Sequence, residues 1–421
     1  MPKGKKAQSR QAEVNIGMIG HVDHGKTTLV QSLSGEWTDR HSDEIKRGIS
    51  IKLGYADVDI LKCPTCEPPE CYSTPNLSPK NKCKKCGSKL ELLRRISFVD
   101  APGHEVFMAT TISGAFIMDG AIIVIAANEK CPMPQTREHY ETIKITNVKN
   151  IIAVQNKIEL RSFELNMENY QDIAKFIEQK DTGIPIIPIS AIHKSNLDVL
   201  LQAIEEKIPT PTRDLDKSLL MYVARSFDID KPGTKPQELV GGVLGCSIAR
   251  GRVKVGDQIE IKPGIINPMK DKTKYEPIIT EVTSLQAGDI SGLSEAVAGG
   301  LIGVGTKLDP ALTKADSLIG NVVGKPGTLP PTWQQLRLEK KLLERVVGAR
   351  EIIKVKEIKT KEIMMLNVGI EMTVGPVTSV KRDIVEISLK RPVCAEVGQR
   401  VAISRQISGR WRLIGYGTII E

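Results

Sequence analysis

The feature that most restricts the fold is the segment Gly20-His-Val-Asp-His-Gly-Lys-Thr27, which follows a short apolar run and precedes a helical pattern. It matches GxxxxGK[ST], in which backbone N–H groups surround phosphate oxygens. In such a loop Lys26 supplies charge to the β- and γ-phosphates and Thr27 offers its hydroxyl to Mg²⁺, while the helix start adds a positive dipole. The sequence therefore predicts a strand–loop–helix unit that binds a nucleoside triphosphate.

Apolar segments alternate with helical patterns through the first half of the chain. Strands are predicted at 14–20, 96–100, 121–127, 151–155 and 184–190, and helices at 27–33, 104–116, 135–145, 168–179 and 197–208. Such alternation is typical of a doubly wound, mostly parallel sheet. We predict an α/β nucleotide-binding domain over 12–208, preceded by a basic, flexible tail over 1–11.

The pattern changes after the segment 208–216, where proline and turn-forming residues cluster. Beyond it helical periodicity is scarce, and short β-type segments are separated by glycine. A second breaker cluster lies at 324–333. We predict two all-β barrels, over 217–326 and 333–421. A length of 421 residues is compatible with several domains.

Two further motifs follow predicted strands. In Asp100-Ala-Pro-Gly103 the aspartate can hold Mg²⁺ through water, and the Gly103 N–H can meet the γ-phosphate. In Asn156-Lys-Ile-Glu159 the asparagine can bond guanine, Lys157 can cover its face, and the acid can accept from the base. Glu159 is one methylene longer than the aspartate that is usual at this position.

A short segment after the last predicted strand completes the guanine site. In Ser190-Ala-Ile192 the Ala191 N–H can bond the base carbonyl. Donors and acceptors complementary to one base edge reject other bases strongly. The motifs together predict a GTP-binding domain.

Four cysteines form two pairs, Cys63 with Cys66 and Cys83 with Cys86, separated by sixteen residues. This CxxC-x₁₆-CxxC spacing lies in the range of a Cys₄ zinc site, and we predict a zinc knuckle as an insert over 61–88. Cys71 could replace a ligand, although its spacing is worse. Such pairs, without a secretory signal, favour the reducing cytoplasm.

Charge and hydropathy bear on partners. No apolar run reaches the ~18 residues of a membrane span, so we expect no membrane contact. Net charge is 59 − 50 = +9, which permits a polyanionic partner such as RNA.

The four motifs in this order, followed by two barrels, resemble the translational GTPases of the elongation factor Tu class over essentially the whole chain. GHVDHGKTT and DAPGHE are characteristic of that class. The resemblance implies that His104 positions the attacking water. It also implies that Val22 and Ile49 screen His104 from the γ-phosphate until activation. Ser50, in Arg47-Gly-Ile-Ser-Ile51, stands where a threonine usually meets Mg²⁺.

The resemblance also implies two sets of ligands. The GTP-binding set is Asp23, His24, Gly25, Lys26, Thr27, Thr28, Gly103, Asn156, Lys157, Glu159, Ser190, Ala191 and Ile192. The Mg²⁺ set is Thr27, Ser50, Asp23 and, through water, Asp100.

The cysteine insert narrows the resemblance to the gamma subunit of the archaeal and eukaryotic translation initiation factor 2. KLGYA at 52–56, LLERVVGA at 342–349 and SRQISGRWRLIGYG at 404–417 support it. The resemblance implies a GTPase that carries methionyl initiator tRNA to the small ribosomal subunit and its mRNA. Alpha and beta subunits would complete a heterotrimer, alpha on the first barrel and beta on the GTP-binding domain. The form GHVDHGKT favours an archaeal source.

Three alternatives remain open from the sequence. A selenocysteine-specific elongation factor shares the architecture but would carry a further C-terminal RNA-binding extension. A GTPase subunit of a sulfate-activating enzyme fits the motifs but not the cysteine insert. A scaffold for partner subunits, in which hydrolysis is incidental, would have the same residues.

Overall fold

The first part of the chain folds into a seven-stranded sheet with helices on both faces, which confirms the predicted α/β fold. The computed structural model describes residues 11–38, 53–104, 107–178, 183–230, 233, 235, 240–268, 273–347 and 353–420. The strands are β1 (Val14–Ile19), β2 (Gly54–Lys62), β3 (Tyr72–Ser73), β4 (Glu91–Asp100), β5 (Gly120–Ala126), β6 (Asn150–Asn156) and β7 (Ile186–Pro188). The helices are α1 (Lys26–Ser34), α2 (Met108–Ala115), α3 (Pro134–Ile145), α4 (Phe163–Glu178) and α5 (Leu197–Lys207).

The strand order is β3-β2-β4-β1-β5-β6-β7. Strands β4, β1, β5, β6 and β7 are parallel, whereas β2 pairs antiparallel with β4 and β3 pairs antiparallel with β2. Strand β2 is absent from the predicted strands, because Asp57 and Asp59 interrupt its apolar residues; in the structure both carboxylates lie 3.7 Å from the Arg95 guanidinium of β4. Helix α4 begins five residues before the predicted start at 168, and α2 begins at Met108 rather than at 104.

Two β barrels follow, as predicted. The strands of the first region are β8 (Leu220–Phe227), β9 (Val243–Arg250), β10 (Arg252–Lys254), β11 (Gln258–Pro268), β12 (Thr273–Ala287), β13 (Ile290–Ser291), β14 (Glu295–Val297), β15 (Leu301–Thr306) and β16 (Val322–Gly324). The order β11-β16-β8-β9-β15-β12 closes through the β11–β12 pairing, and a short helix α6 (Pro310–Thr313) joins β15 to β16.

The second barrel closes in the order β17-β20-β19-β18-β21-β22. Its strands are β17 (Thr332–Leu342), β18 (Ile363–Val368), β19 (Glu371–Lys381), β20 (Ile384–Cys394), β21 (Arg400–Ile407) and β22 (Arg410–Ile419). Each barrel encloses its own apolar core. Closure leaves no unpaired strand edge in the ring.

The second barrel packs on helices α2 and α3. Asn367 donates to the Ala109 carbonyl of α2 at 3.0 Å. On α3, the buried carboxylate of Glu138 lies 3.6 Å from the Arg412 guanidinium of β22. The barrel therefore contacts the helix that follows DAPG and the helix that follows β5.

The residues before β1 are fastened to the first barrel. The Gln11 side chain donates to the carbonyls of Val297 and Gly299, both at 2.8 Å, and accepts from the Val297 N–H at 3.1 Å. A Cβ on Gly300 would lie 2.7 Å from the Ala12 carbonyl oxygen, so only glycine permits this approach.

None of the helices in the described residues combines the length and apolar composition needed to cross a bilayer.

Candidate functional site

The predicted phosphate loop joins the end of β1 to the start of α1. Lys26 donates its ammonium to the carbonyl oxygens of Gly20, at 3.2 Å, and His21, at 2.8 Å, which holds the charge over the loop. Gly25 has φ of +87°, and a Cβ there would lie 2.4 Å from the Asn156 amide nitrogen. Both the left-handed backbone and the close approach require glycine.

A buried imidazole fixes the first residue of the loop. The Gly20 N–H donates to His139 Nδ1 on α3 at 2.9 Å. Burial lowers the pKa of His139 to about 3, so the ring is neutral and carries its proton on Nε2. A Cβ on Gly20 would lie 2.3 Å from the Val124 carbonyl oxygen, so the loop is held between β5 and α3.

The predicted GTP-binding residue His24 has a fully buried side chain that packs against β5. Its Nδ1 lies 2.9 Å from the Val124 carbonyl oxygen and its Nε2 3.2 Å from a Glu129 carboxylate oxygen. Burial lowers the pKa of His24 to about 4. The structure leaves its backbone as the part that faces the nucleotide motifs.

An aspartate at the end of β4 accepts hydrogen bonds from two threonine hydroxyl groups. Asp100 is buried, and its Oδ2 accepts from Thr27 at 2.7 Å and from Thr38 at 2.8 Å. Carboxylate and hydroxyl oxygens are the hard ligands that Mg²⁺ prefers, so this donor set fits that ion. Ser50, the other predicted hydroxyl ligand, and Ile49 lie outside the described residues.

The glycine of DAPG lies directly against the phosphate loop. A Cβ on Gly103 would be 2.6 Å from the Lys26 ammonium and 2.9 Å from the Val22 backbone nitrogen, so glycine is required. His104 follows it, half-buried, with its ring centroid 6.0 Å from that of Phe107. The structure thus brings His104 to the segment that borders Val22.

Asn156 connects three predicted motifs. Its amide donates to the His24 carbonyl oxygen at 3.0 Å, and its Oδ1 accepts from the Ala191 N–H at 3.1 Å. Lys157 adopts φ of +64°, and its Cε would be 4.0 Å from a Cβ on Gly25. One side chain therefore fixes the spacing between the phosphate loop and the guanine motifs.

The remaining predicted nucleotide residues surround this centre. Ser190 is buried, and its hydroxyl accepts from the His193 N–H at 3.3 Å. Glu159 and Ile192 are exposed. Asp23 is exposed with φ of +61°, and Thr28 is half-buried on α1.

The four paired cysteines converge on one point. The sulfur atoms of Cys63, Cys66, Cys83 and Cys86 all lie within 4.8 Å of one another. The Cys63–Cys86 separation is 3.5 Å and the Cys66–Cys83 separation is 3.7 Å. A tetrahedral zinc with Zn–S bonds of about 2.3 Å places its sulfurs ~3.8 Å apart, so the cluster fits that ion. Cys71 is buried outside the group.

Local hydrogen bonds favour the thiolate at two of these cysteines. Ser88 and Thr65 lower the pKa of Cys86, and Thr65 lowers the pKa of Cys63. The Thr65 hydroxyl lies 3.2 Å from the Cys86 sulfur and 3.3 Å from that of Cys63. Thiolate is the form that binds metal.

A cavity of about 500 Å³ lies where β2 and β4 meet the first barrel. Tyr55, Phe227 and Leu301 supply apolar surface to it, and Arg95 and Arg225 supply charge. Arg95 is held by Asp57 at 3.7 Å and by Asp289 of the barrel. The size of this cavity is that of a ligand pocket.

Two residues of the site have no counterpart among the sequence predictions. Thr38 reaches Asp100, and His139 holds Gly20. Thr38 lies in no motif, and nothing local distinguishes it. His139 falls inside a predicted helix between Glu138 and Tyr140, and nothing local distinguishes it.

Two family descriptions match the chain. "Elongation factor Tu GTP binding domain" matches residues 11–210, and "Initiation factor eIF2 gamma, C terminal" matches residues 334–419.

Several curated proteins are similar over nearly the full length. The chain is 59% identical to "Translation initiation factor 2 subunit gamma" of Pyrococcus abyssi over 419 residues, 99% of this chain and 100% of that protein. It is 57% identical to the protein of that name from Archaeoglobus fulgidus, covering 97% and 94%, and 56% identical to that from Methanocaldococcus jannaschii, covering 99% of both.

Two solved structures share the fold. A bacterial selenocysteine-specific elongation factor, EF-Sec, superposes with a TM-score of 0.73 at 25% identity, over 97% of this chain and 58% of that chain. Elongation factor SelB of Methanococcus maripaludis, in complex with the GTP analogue GPPNHP, superposes with a TM-score of 0.71 at 24% identity. The superposition covers 98% of this chain and 80% of that chain.

Proposed function

The chain belongs to the family of translation initiation factor 2 gamma subunits, and on this premise we propose how its residues perform the work of that factor. It is a translational GTPase. We propose that it carries methionyl initiator tRNA to the small ribosomal subunit when GTP is bound. The observation that carries the proposal is the identity of 59% over 99% of the chain, which extends through the cysteine insert and both barrels.

GTP would bind between the phosphate loop and the DAPG segment. Lys26 and the loop N–H groups would receive the phosphates, with Gly103 supplying an N–H to the γ-phosphate. Thr27, Asp23, Asp100 and Ser50 would hold Mg²⁺. The ion would neutralise part of the charge on the phosphates.

Guanine would be recognised at the other end of the site. Asn156 is already oriented by its bonds to His24 and Ala191, so its ordering costs little on binding. Lys157 would cover one face of the base. Glu159 would accept from the ring N–H and amino groups, and its exposure leaves its longer side chain free to reach.

Hydrolysis would depend on His104. An imidazole can orient the attacking water, as a glutamine does in other GTPases. Val22 and Ile49 would screen His104 from the γ-phosphate until the factor is activated. Gly103 supports this reading, because it lies against Val22 and directly precedes His104.

The cysteine cluster would hold a structural zinc ion. Four thiolates would leave the ion no open position for a substrate, so it would stabilise the knuckle and take no part in hydrolysis.

The cavity beside the first barrel would receive the methionylated end of the tRNA. Its volume of about 500 Å³ and its mixture of aromatic, aliphatic and charged lining suit an apolar side chain on a polar ester. The Tyr55 hydroxyl is buried and has no hydrogen-bond partner among the described residues, so it can serve the ligand.

We propose that alpha and beta subunits complete a heterotrimer in the cytoplasm. Exposed apolar side chains support both contacts. Phe163, Leu165 and Met167 on α4 suit beta on the GTP-binding domain, and Val255 and Ile279 suit alpha on the first barrel.

The test is equilibrium binding of methionylated initiator tRNA, compared with elongator methionyl-tRNA and uncharged initiator tRNA. Each is measured with GDP and with a non-hydrolysable GTP analogue, with alpha added if the isolated chain binds weakly. Selective binding of the charged initiator, stronger with the analogue, is expected. Equal binding of both methionyl-tRNAs would indicate an elongation-type carrier. Absence of tRNA binding with intact GTP binding would favour the scaffold or the sulfate-activating enzyme.

A further inference from the structure

The knuckle carries a concentrated positive charge. Between residues 79 and 90 it has five lysines and no acidic residue. All five are exposed: Lys80, Lys82, Lys84, Lys85 and Lys89. Lys85 pairs with Glu70, whereas the other four make no ion pair with any described residue. We call these four lysines the knuckle face.

The backbone places two of these charges side by side. Lys82 and Lys89 are partners in an isolated antiparallel bridge, and the neighbouring Cys83 N–H donates to the Ser88 carbonyl at 2.8 Å. Like charges directly opposite one another lower stability. A metal-binding turn that holds them together is therefore suited to an anion bound outside the protein.

The knuckle face has a fixed position on the GTP-binding domain. Thr74 donates to the Leu33 carbonyl at 2.8 Å, and the Asn76 amide donates to the Ser32 carbonyl at 2.8 Å, which ties the knuckle to the end of α1. A crevice of about 410 Å³ separates it from the start of α5, with Lys84 and Lys194 on its lining. The exposed Lys194 extends the positive surface onto the domain itself.

This surface and the tRNA cavity lie on opposite faces of the sheet. Side chains alternate along a strand. Tyr55 and Asp57 of β2 line the cavity toward the first barrel, whereas Val58 and Ile60 belong to the core beneath α1 and α5, against which Tyr72 of the knuckle packs. An RNA end in the cavity is thus on the other side from the knuckle face.

We propose that the knuckle face and Lys194 contact the phosphate backbone of ribosomal RNA in the small subunit. The inference rests on the proposed function, which brings the factor to that subunit. Lysine ammoniums are point charges that bind phosphates without reading bases. The contact therefore positions the factor, is independent of RNA sequence, and weakens as salt rises.

The test uses the full-length quadruple variant Lys80→Gln, Lys82→Gln, Lys84→Gln and Lys89→Gln. Its matched control changes four exposed lysines elsewhere to glutamine, Lys149, Lys314, Lys325 and Lys390. Both lower the net charge equally, from +9 to +5 (9 − 4). Zinc content and thermal unfolding verify that each variant is folded.

Binding to purified small subunits is measured for each factor loaded with charged initiator tRNA and a GTP analogue, over a series of salt concentrations. The knuckle variant should bind on the order of 10- to 100-fold more weakly than the control, with a salt slope smaller by roughly 3. Its affinity for the tRNA alone should equal that of the control.

An equal loss of affinity for the tRNA would overturn the proposal, because the RNA contacted would then be the tRNA. If the knuckle variant binds small subunits as tightly as the control does, the proposal is also overturned. The knuckle face would then be exposed to solvent or would bind an acidic protein. Failure of the wild-type factor to bind tRNA would instead contradict the proposed function.

Discussion

His139 accepts the backbone N–H of Gly20 through Nδ1 at 2.9 Å, so a side chain of α3 fixes the entry to the phosphate loop. The preceding residue, Glu138, contacts Arg412 of the second barrel. Adjacent positions of one helix therefore touch the nucleotide site and the distant barrel. A displacement of that barrel that moves α3 would therefore also move the His139 side chain that holds the phosphate loop.

Replacing His139 with leucine should weaken GTP binding by about tenfold, because a buried N–H without an acceptor costs ~1–2 kcal/mol. His139→Asn retains an acceptor near the Nδ1 position and should keep most of the affinity. Titration with a fluorescent GTP analogue measures both. Equal losses in the two variants would show that ring volume, and not the acceptor, matters.

Acid should destabilise the protein through His139. Its pKa falls from 6.5 to about 3 on folding, so between these values only the unfolded chain takes up the proton. The free energy of unfolding therefore decreases as the pH drops below about 6.5 and stops decreasing near pH 3, with a loss of about 2 kcal/mol at pH ~5. Urea unfolding at about pH 7 and pH 5 should show a loss that is about 2 kcal/mol larger in the wild type than in His139→Asn, because His24, whose pKa is also lowered by burial, contributes its own loss to both proteins. A pH-independent difference between them would contradict the assignment.

Asn156→Ala should lower the affinity for GDP and GTP roughly 100-fold. The change removes two hydrogen bonds that set the distance from His24 to Ala191, together worth ~2–3 kcal/mol. Gln155→Ala is the matched control, because Gln155 lies next on β6 and bonds Asn166 and Asn169 instead. Calorimetry compares the two, and similar affinities would count against the bridging role of Asn156.

His104→Ala should slow single-turnover GTP hydrolysis by about 10²- to 10⁴-fold while leaving GTP affinity unchanged, since the residue acts on the attacking water. His104→Gln should recover part of the rate. Rapid-quench measurements with ribosomal subunits and partners present decide this. If the alanine variant releases tRNA as the wild type does, hydrolysis is incidental and the scaffold is supported.

Zinc binding should depend on the four clustered cysteines and not on Cys71. Cys83→Ser should lower the bound zinc well below one ion per chain and loosen the knuckle. Cys71→Ser should retain it, because the Cys71 sulfur lies outside the cluster. Metal analysis of the purified variants gives the result. Loss of zinc in Cys71→Ser would place that residue among the ligands.

The sequence predicted the fold where chemistry is local. The phosphate loop, DAPG and the guanine motifs each follow a strand, and parallel strands bring their carboxyl ends to one edge. Contacts between distant segments were not predictable. Thr38 and Asp100 are 62 residues apart, and Gly20 and His139 are 119 apart. Strand β2 was missed for a related reason, since Asp57 makes sense only once Arg95 and the first barrel are beside it.

The attachment of Gln11 to Val297 has a consequence for synthesis of the chain. These residues are 286 positions apart. At ~5–20 residues per second, the first strand leaves a ribosome roughly 15–60 s before the barrel that holds its leading segment exists. The GTP-binding domain must therefore begin to fold with the residues before β1 unattached, and the contact that finally holds them is among those of longest loop closure.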